Sequence, residues 1–359
     1  MVIASAIIAH EPKNPGSPNW RLEDVSVGNP GDHEVLVEMI ASGLCHTDIV
    51  LSSVPKGSHG IEYPKIVGHE GAGYVRQVGS KVHSIQIGDP VLLSFYSCGS
   101  CGECEGRHPA YCDSFAKENY VGQKGLVTRQ DSAEDMWTRF FGQSSLSQYS
   151  IVDESCVVNT GMGAIENTTN ADPTDVVVIA GMGSVGMASL LTAAIRGCKG
   201  IIAVDRLPDR LALAKSLGAT HTIDTSQSGT SITDSVRQIF PNGASIVIDT
   251  TGLPSIIEDG LQALKQRGKI VLIGVPPAGY KLSLNATEHM NKGRSVMGCI
   301  EGDCIPKEAI PRMIQWYREG KFPVDRLINY FHARRFDQAL CQLHNGSVVK
   351  AVLLWRMSQ

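Results

Sequence analysis

The sequence lacks a marked excess of charge of either sign. Its 359 residues include 32 Lys and Arg against 36 Asp and Glu, a formal net charge of −4. Neither this balance nor the distribution of basic residues indicates a nucleic acid or a membrane surface as partner. Internal repeats and low-complexity tracts are also missing. With 42% apolar and 19% charged residues, the composition is typical of a globular protein, and the length predicts two domains.

A recognisable export signal is missing as well. The apolar run Val2 to Ala9 is short, has no basic flank and is followed by His10, Glu11 and Pro12, so it is predicted to be a first strand. The protein is therefore expected to be cytoplasmic. Its ten cysteines are then expected to be reduced thiols or metal ligands, because disulfides are rare in that compartment.

The secondary-structure pattern changes near the middle of the chain. In the first part, short strand-like segments alternate with turn signals, which predicts an all-β region; its strands are Ser5 to Ala9, Glu34 to Ile40, Gly73 to Val78 and Pro90 to Phe95. The polar stretch Arg129 to Trp137 is predicted to be an exposed loop.

From Asp175 onward, strands and helices alternate, which predicts a parallel sheet covered on both faces. The predicted helices are Asp209 to Leu217, Ile256 to Gln266 and Pro306 to Glu319. The predicted strands are Ser245 to Asp249, Lys269 to Gly274 and Ser295 to Gly298, with a strand-like tail from Val348 to Trp355.

The stretch Val176 to Asp205 predicts a dinucleotide site, because it has the order strand, glycine turn, helix, strand and acid. The first glycine makes the tight turn, the second lets the backbone approach a pyrophosphate, and the third lets the helix pack close to the strand. Free helix N–H groups would face the phosphates. The turn comprises Gly181, Met182, Gly183, Ser184, Val185 and Gly186.

The acid at the end of the second strand favours NAD over NADP. Asp205 would accept hydrogen bonds from the adenosine ribose and repel a 2′-phosphate. Arg206 beside it would partly offset that repulsion.

Four cysteines within one short segment predict a metal site. They occur in CGSCGECEGRHPAYC, and four thiolates at this spacing suit a closed, tetrahedral structural zinc that stabilises a lobe with little core of its own. The ligands would be Cys98, Cys101, Cys104 and Cys112.

A second cluster of metal-binding residue types lies in GLCHTD and GHEGAG. Cys45 and His69 are candidate ligands of a second zinc, and Glu70 and Asp48 are either ligands or partners of ligands. An open zinc site beside a nucleotide would polarise an alcohol oxygen and favour hydride loss to a nicotinamide. Thr47 could take the substrate proton onward, although a capping hydroxyl is the alternative interpretation.

These motifs, together with PKIVGHEGAG, FFGQSS and IEGD, resemble the zinc-dependent medium-chain alcohol dehydrogenases over nearly the whole chain. The likeness is greatest to the aryl (benzyl) alcohol dehydrogenase branch, through FFGQSS and GCIEGD. The resemblance implies an α/β protein with a chaperonin-10-like β catalytic domain and a Rossmann doubly wound parallel-sheet domain, with NAD and a small-molecule substrate in a cleft. The implied boundaries are 1–159 for the first part of the catalytic domain (zinc lobe 95–115), 160–299 for the Rossmann domain and 300–359 for the rest.

The resemblance also implies roles for single residues. Cys45 and His69 would bind catalytic zinc, and Thr47 would begin a proton relay. Contacts to the cofactor would come from His46, Arg210 and Lys350, and the substrate pocket would be walled by Ser94, Phe95, Phe140 and Phe141. A homo-oligomer, either dimer or tetramer, is expected from the family and from the apolar strand Ser295 to Gly298.

The sequence departs from the family at two points. Val50 stands where some members carry the histidine that ends the proton relay. The connection that supplies the third ligand of catalytic zinc, before the helix Thr160 to Thr168, is missing. Cys156 fits that ligand by its distance from Thr160, but the match of Val152 to Val158 to a strand predicts an inert, packed cysteine. Glu70 is the other candidate.

Three functions are therefore compatible with the sequence. The leading hypothesis is an NAD-dependent oxidoreductase that interconverts an aryl or bulky apolar alcohol and its aldehyde or ketone. A second is a reductase of activated C=C or C=N bonds that works without catalytic zinc. A third is a nucleotide-binding protein that has lost catalysis but keeps its structural zinc.

Overall fold

The chain folds as two units in the computed structural model, which describes residues 1–156, 161–227 and 229–356. The first unit contains the described residues of 1–158, 305–310 and 328–359, and the second those of 159–304 and 311–327. Among the residues so described, no helix combines the length and the apolar character needed to cross a membrane.

The first unit begins with β-strands that form a closed barrel, in the order β1-β2-β7-β8-β4, and most of a second sheet. Helix α1 (His46–Leu51) follows β3, and the short α2 (Gly102–Glu105) lies in the cysteine-rich segment. The strands are β1 (Val2–His10), β2 (Asn19–Val27), β3 (Glu34–Gly43), β4 (Lys65–Ile66), β5 (Gly71–Val78), β6 (Pro90–Leu92), β7 (Gln123–Arg129), β8 (Asp135–Thr138) and β9 (Tyr149–Asp153).

The second unit is a six-stranded parallel sheet in the order β12-β11-β10-β13-β14-β15. Its strands are β10 (Val176–Ala180), β11 (Gly200–Asp205), β12 (His221–Asp224), β13 (Ala244–Asp249), β14 (Leu264–Leu272) and β15 (Ser295–Gly298). Every residue of β10, β11 and β13 is buried, as expected for central strands covered on both faces. This strand order is that of dinucleotide-binding Rossmann sheets.

Helices connect the strands of the second unit. They are α4 (Ser184–Ile195), α5 (Pro208–Ser216), α6 (Ile232–Ile239), α7 (Pro254–Ala263) and α8 (Ala286–Lys292). Helix α3 (Gly161–Gly163) precedes β10, and α9 (Pro306–Arg318) follows β15, with its residues 306–310 in the first unit and the rest in the second. A π-helical turn, Ala164–Thr168, follows α3. The predicted helix start at Thr160 and the end of the predicted strand Val152 to Val158 lie outside the described residues.

The end of the chain returns to the first unit as β16 (Ile328–His332), α10 (Phe336–His344) and β17 (Lys350–Leu354). Strand β17 pairs antiparallel with β3, with Val352 opposite Gly43. The resulting sheet has the order β16-β17-β3-β5-β6, and β9 also pairs with β3. Strand β3 is therefore central to this sheet, since it pairs with β5, β9 and β17.

Two predicted elements were wrong. Residues 129–137 do not form a loop throughout, because β7 ends at Arg129 and pairs antiparallel with β8, which begins at Asp135. In β8, the buried Met136 and Thr138 alternate with the more exposed Asp135 and Trp137, and an alternation of only four residues was not recognised within a polar stretch. The helix predicted for 256–266 ends at Ala263, because the next residue already pairs in the sheet.

The predicted return to the catalytic domain at residue 300 also differs from the structure. Residues 300–304 and 311–327 belong to the second unit. Arg312 of α9 forms an ion pair with Glu166 at 3.0 Å, and Arg326 donates a hydrogen bond to Ser216 Oγ at 2.9 Å. These long-range contacts could not be inferred from the local pattern.

Candidate functional site

The four cysteines of residues 98–112 form one cluster. Their sulfur atoms all lie within 4.8 Å of one another. Cys98 Sγ is 3.9 Å from Cys104 Sγ, and Cys101 Sγ is 4.0 Å from Cys112 Sγ. A tetrahedral zinc with Zn–S bonds of about 2.3 Å holds its sulfurs ~3.8 Å apart. Both the donor set and the spacing therefore fit a closed zinc site.

The backbone around these cysteines favours an ionised sulfur at one of them. Ser100 donates hydrogen bonds to Cys98 Sγ from its backbone N–H and its hydroxyl, at 3.5 and 3.7 Å. These bonds lower the pKa of Cys98 to about 6, whereas burial raises the pKa of Cys104 to about 12. A metal binds thiolates, so the lobe already stabilises one ligand in its binding form.

A second cluster is assembled by strand pairing. Strands β3 and β5 are antiparallel, with Ser42 opposite Gly71. Cys45, the second residue after β3, therefore comes beside His69 and Glu70, which directly precede β5. The ligand atoms of Cys45, His69 and Glu70 all lie within 4.8 Å of one another. His69 Nε2 is 4.0 Å from Glu70 Oε1. Sulfur, nitrogen and oxygen donors thus converge on a single point in this unit.

Asp48 fixes two members of this cluster and is not itself a member of it. The carboxylate is fully buried, and its Oδ1 lies 2.7 Å from His69 Nδ1. Its Oδ2 accepts a hydrogen bond from the Cys45 backbone N–H at 3.0 Å. Because a carboxylate can only accept, Nδ1 carries the hydrogen and Nε2 is the ring nitrogen that can bind a metal. Burial alone would lower the pKa of His69, but Asp48 outweighs it and raises that pKa well above its usual value.

Lys350 holds the carboxylate of Glu70. It is brought there by the pairing of β17 with β3, and its Nζ forms an ion pair with Glu70 Oε2 and donates to Leu44 O at 3.1 Å. Burial would raise the pKa of Glu70, but Lys350 and His69 together bring it below its usual value. Glu70 is therefore ionised. Lys350, predicted to contact the cofactor, is here a partner of a candidate metal ligand.

Cys156 is not brought into the cluster. Among the described residues, the group that contains Cys45 and His69 includes Glu70 and not Cys156. The Cys156 side chain is 2% exposed, with Sγ 4.0 Å from Gly142 O. Its N–H bonds to Asp153 O and its carbonyl accepts from Ser94 N–H, so it is packed directly after β9. Burial raises the pKa of this thiol to about 12.

The predicted proton-relay residues lie in the first turn of α1. Thr47 Oγ1 is 3.7 Å from Cys45 Sγ, which places the hydroxyl next to the cluster. His46 and Val50 are exposed on the same helix. Val50 carries no group that could accept a proton from Thr47.

Aromatic rings cover one side of His69. The ring centroid of Phe141 is 4.8 Å from that of His69, and Phe140 is at 6.1 Å. Phe115 and Tyr120 pack edge-on against Phe141, and Phe95 lies against Phe115. Ser94, the remaining predicted pocket residue, is buried and its hydroxyl donates to Phe95 O at 3.2 Å.

The glycine turn between β10 and α4 has the geometry of a dinucleotide cradle. Gly181 has φ +91, and a Cβ there would lie 2.5 Å from Thr250 Oγ1. A Cβ at Gly186 would lie 1.8 Å from Gly181 O, so only glycine lets the helix approach the strand this closely. A Cβ at Gly183 would meet nothing within 4 Å. That open space adjoins the start of α4, at Ser184 and Val185, where no side chain caps the free N–H groups.

Asp205 lies at the end of β11, beside this turn. Its Oδ2 accepts from Met182 N–H at 2.6 Å and its Oδ1 from Leu207 N–H at 2.9 Å. The carboxylate is thereby oriented at the carboxyl end of the strand, where a ribose is bound in this kind of sheet. Arg206 is exposed next to it, and Arg210 is half-buried on α5.

Two residues of interest were not singled out from the sequence. Gln143 lies within the motif FFGQSS, and its side-chain amide bonds to the backbone of residues 69 and 71. Lys65 precedes the GHE segment and is 0% exposed, with Nζ donating to Val121 O at 2.7 Å. The motif was a signal for Gln143, but a lysine is ordinarily expected at the surface.

Comparison with known proteins agrees with this geometry. Residues 31–162 match the alcohol dehydrogenase GroES-like domain and residues 184–319 the zinc-binding dehydrogenase domain. A geraniol dehydrogenase of Castellaniella defragrans is 31% identical, over 93% of this chain and 94% of the relative.

Two solved structures share the fold. The crystal structure of an alcohol dehydrogenase zinc-binding domain protein from Burkholderia ambifaria has a TM-score of 0.92 at 31% identity, covering 99% of this chain and 100% of that one. The benzyl alcohol dehydrogenase of Acinetobacter calcoaceticus has a TM-score of 0.89 at 30% identity, covering 99% of both chains.

The chain belongs to the zinc-dependent medium-chain alcohol dehydrogenase family. It is an oxidoreductase of a family that acts on alcohols and binds zinc and NAD. The predicted fold class, a GroES-like β domain with a Rossmann domain, is confirmed.

Proposed function

We propose that this protein is an NAD-dependent dehydrogenase that interconverts an aryl or bulky apolar alcohol and its aldehyde or ketone. The observation that carries the proposal is the convergence of Cys45, His69 and Glu70 within 4.8 Å. Three protein donors with one further coordination position are what a catalytic zinc requires. When bound there, zinc polarises the alcohol oxygen and lowers its pKa.

The residues around the cluster have separable tasks. Asp48 holds the Nδ1–H of His69, and Lys350 balances the charge of Glu70. A bound NAD would supply the acceptor for the hydride on the alcohol carbon, and the proton on the alcohol oxygen would then need an acceptor from the protein. Thr47 Oγ1, beside Cys45, is the acceptor that we assign to this proton. Since Val50 cannot continue the relay, Thr47 would have to pass the proton to water or to the ribose of a bound cofactor.

The rings beside His69 support an apolar substrate. Phe141 and Phe140 lie closest to His69, and both are buried. Because Phe140 is 0% and Phe141 3% exposed, the rings act by making this side of the cluster apolar, which favours an aryl or other apolar group beside it over a small polar alcohol.

Oxidation of NADH by a panel of aldehydes, enones and iminium compounds tests the proposal. We expect turnover with aromatic aldehydes, and loss of that turnover in Cys45→Ala. Turnover of enones or iminium compounds alone, unaffected by Cys45→Ala, would instead indicate the reductase without catalytic zinc. Tight NADH binding with no turnover across the panel would indicate a non-catalytic nucleotide-binding protein.

We also propose that the protein forms a dimer or tetramer. Strand β15 is at the edge of the Rossmann sheet, and Val275 and Met290, in segments of the same unit, are 65% and 72% exposed. An edge strand and exposed apolar side chains in one unit are features suited to pairing with a second copy. Light scattering on the purified chain tests this, and a monomer at micromolar concentration would contradict it.

We propose a cytoplasmic location. None of the ten cysteines is in a disulfide, and five of them belong to the two candidate metal clusters, which fits a reducing compartment. Cell fractionation tests the proposal.

A further inference from the structure

We propose that Gln143 is a positioning residue of the candidate metal centre, because its side-chain amide fixes the backbone that presents His69 and Glu70. The inference rests on the proposed function, since it takes Cys45, His69 and Glu70 to be the zinc ligands. Gln143 contacts neither substrate nor cofactor in this role; it acts through the two ligands.

The Gln143 amide bonds to the chain on both sides of Glu70. Its Nε2–H donates to His69 O at 2.7 Å, and its Oε1 accepts from Gly71 N–H at 3.0 Å. The two bonds fix the orientation of the amide, because only Nε2 can donate and only Oε1 can accept. The peptide groups before and after Glu70 are thereby tied to one rigid planar group.

Gln143 is itself held tightly. It is 1% exposed, its N–H donates to Phe140 O at 3.1 Å, and its carbonyl accepts a hydrogen bond from Ser150 Oγ. The segment that Gln143 binds, residues 69–71, is also closely packed. A Cβ at Gly71 would lie only 2.7 Å from Ser145 Cβ and 3.1 Å from Gln143 Oε1. The side-chain amide of Gln143 is therefore buried and held in one position.

Other bonds between the two segments stop short of the ligands. Ser145 N–H donates to Gly68 O and Leu146 N–H to Val67 O, at 2.9 and 3.0 Å, and Ser144 Oγ donates to Ile66 O at 2.5 Å. These bonds attach residues 66–68. Gln143 extends the attachment to residues 69–71, where the ligands lie.

Loss of the amide should thus change metal binding more than folding. Without it, His69 O and Gly71 N–H lose buried partners. The peptide group after Glu70 keeps the bond from Gly43 N–H to Glu70 O at 2.8 Å, so the peptide group between His69 and Glu70 is the one that can rotate and move both ligands. Loss of a group that orients metal ligands typically weakens metal binding by about 10- to 100-fold.

The test is a Co²⁺ titration of the full-length chain, monitored by the thiolate-to-cobalt absorption of the Cys45 centre. The difference between the unchanged chain and Cys45→Ser isolates that centre from the four-cysteine cluster. Gln143→Met keeps the side-chain volume and removes both hydrogen bonds. We expect its Co²⁺ Kd to rise about 10- to 100-fold and the absorption bands to shift, while the cobalt content of the four-cysteine cluster is unchanged.

Two controls separate positioning from packing. Gln148→Met removes a comparable bond, since Gln148 Oε1 accepts from Ser5 N–H at 2.8 Å in the barrel, and we expect its Kd to stay within twofold. Ser144→Ala removes bonds of the same loop to residue 66 and to Phe140 N–H, and we expect a much smaller change than for Gln143→Met. If Gln143→Met does not fold, Gln143→Asn, whose amide is one methylene too short to reach both groups, replaces it with the same expectation.

Unchanged Kd and spectrum in the folded Gln143 variant would overturn the inference, and so would an equal loss in Ser144→Ala. One outcome of the comparison with Cys45→Ser would overturn the proposed function and this inference together. If the unchanged chain and Cys45→Ser gave the same cobalt spectrum, no metal would be bound at the centre at all.

Discussion

The two metal clusters of the first unit are built in opposite ways. The four-cysteine cluster takes all its ligands from residues 98–112, within short elements such as α2. The Cys45 cluster takes its ligands from the end of β3 and the start of β5, and the partner of Glu70 from β17. A ligand set within one short segment is defined by spacing, whereas a set gathered from beside two strands is defined by the pairing of those strands.

The surroundings of the two clusters differ in the same way. In the four-cysteine lobe, three of the thiols are half-buried and the nearest hydrogen bonds are local, from Ser100. Around His69, a buried carboxylate, a buried amide and two aromatic rings converge from distant parts of the chain. The difference indicates that the lobe depends on its metal to fold, whereas the Cys45 cluster is shaped by the fold before a metal binds.

The largest expected effect is on the stability of the protein, and it comes from a substitution in the four-cysteine lobe. Cys101→Ser removes one of four thiolates, so we expect loss of the bound zinc and unfolding or aggregation of the protein, because the lobe has little core of its own. Thermal unfolding and zinc content measure this. Full zinc content with an unchanged Tm would contradict a structural role.

At the Cys45 cluster, Asp48→Asn should weaken metal binding without unfolding the protein. The amide cannot accept both from His69 Nδ1–H and from Cys45 N–H, so the ligands lose their orientation. We expect the metal Kd to rise about 10- to 100-fold, with the four-cysteine zinc retained. Asp24→Asn is the matched control, since Asp24 accepts a hydrogen bond from Ser5 Oγ on the barrel surface. Equal metal affinity in both variants would show that Asp48 does not orient the ligands.

The same contrast explains what could be predicted from the sequence. The glycine turn and the four cysteines were identified because their chemistry depends on neighbouring residues. The choice between Glu70 and Cys156 could not be made, since it depends on where the chain runs after β9. Asp48 was left as ligand or partner, and Gln143 was noticed only as part of a motif. Asp48 acts on His69 from 21 positions away in the chain, and Gln143 acts on it from 74 positions away. Only folding brings these residues together.

The nucleotide turn lies between these extremes, because its glycines are local but its acid is about twenty residues further on. Asp205→Ala should raise the Kd of NADH, with a loss of binding free energy of roughly 1 to 3 kcal/mol. This is the typical contribution of hydrogen bonds that an anionic carboxylate accepts from ribose hydroxyls. Asp224→Ala is the control, because Asp224 lies opposite Asp205 in the neighbouring strand β12. Tighter binding of NADPH than of NADH by the unchanged protein would contradict the assignment of Asp205.

The last expected effect concerns the pH dependence of stability and involves Lys65, a lysine that only the fold reveals to be buried. Burial lowers its pKa to about 7 from 10.5, and Glu62 partly opposes this. The unfolded chain therefore binds more protons than the folded one between these values, so stability rises as the pH rises from about 7 toward 10.5. Lys65→Met should remove this part of the pH dependence of Tm. Lys117→Met, at a lysine whose side chain is 81% exposed, should leave it intact, and identical profiles for the two variants would contradict the prediction.

We propose that the chain binds a second, catalytic zinc through Cys45, His69 and Glu70, although the connection that supplies the usual third ligand in the family is missing. Zinc per chain after purification without chelator tests it most directly. We expect two equivalents, falling to one in Cys45→Ala together with loss of carbonyl reduction. One equivalent in the unchanged protein, with NADH-dependent turnover still present, would contradict the claim.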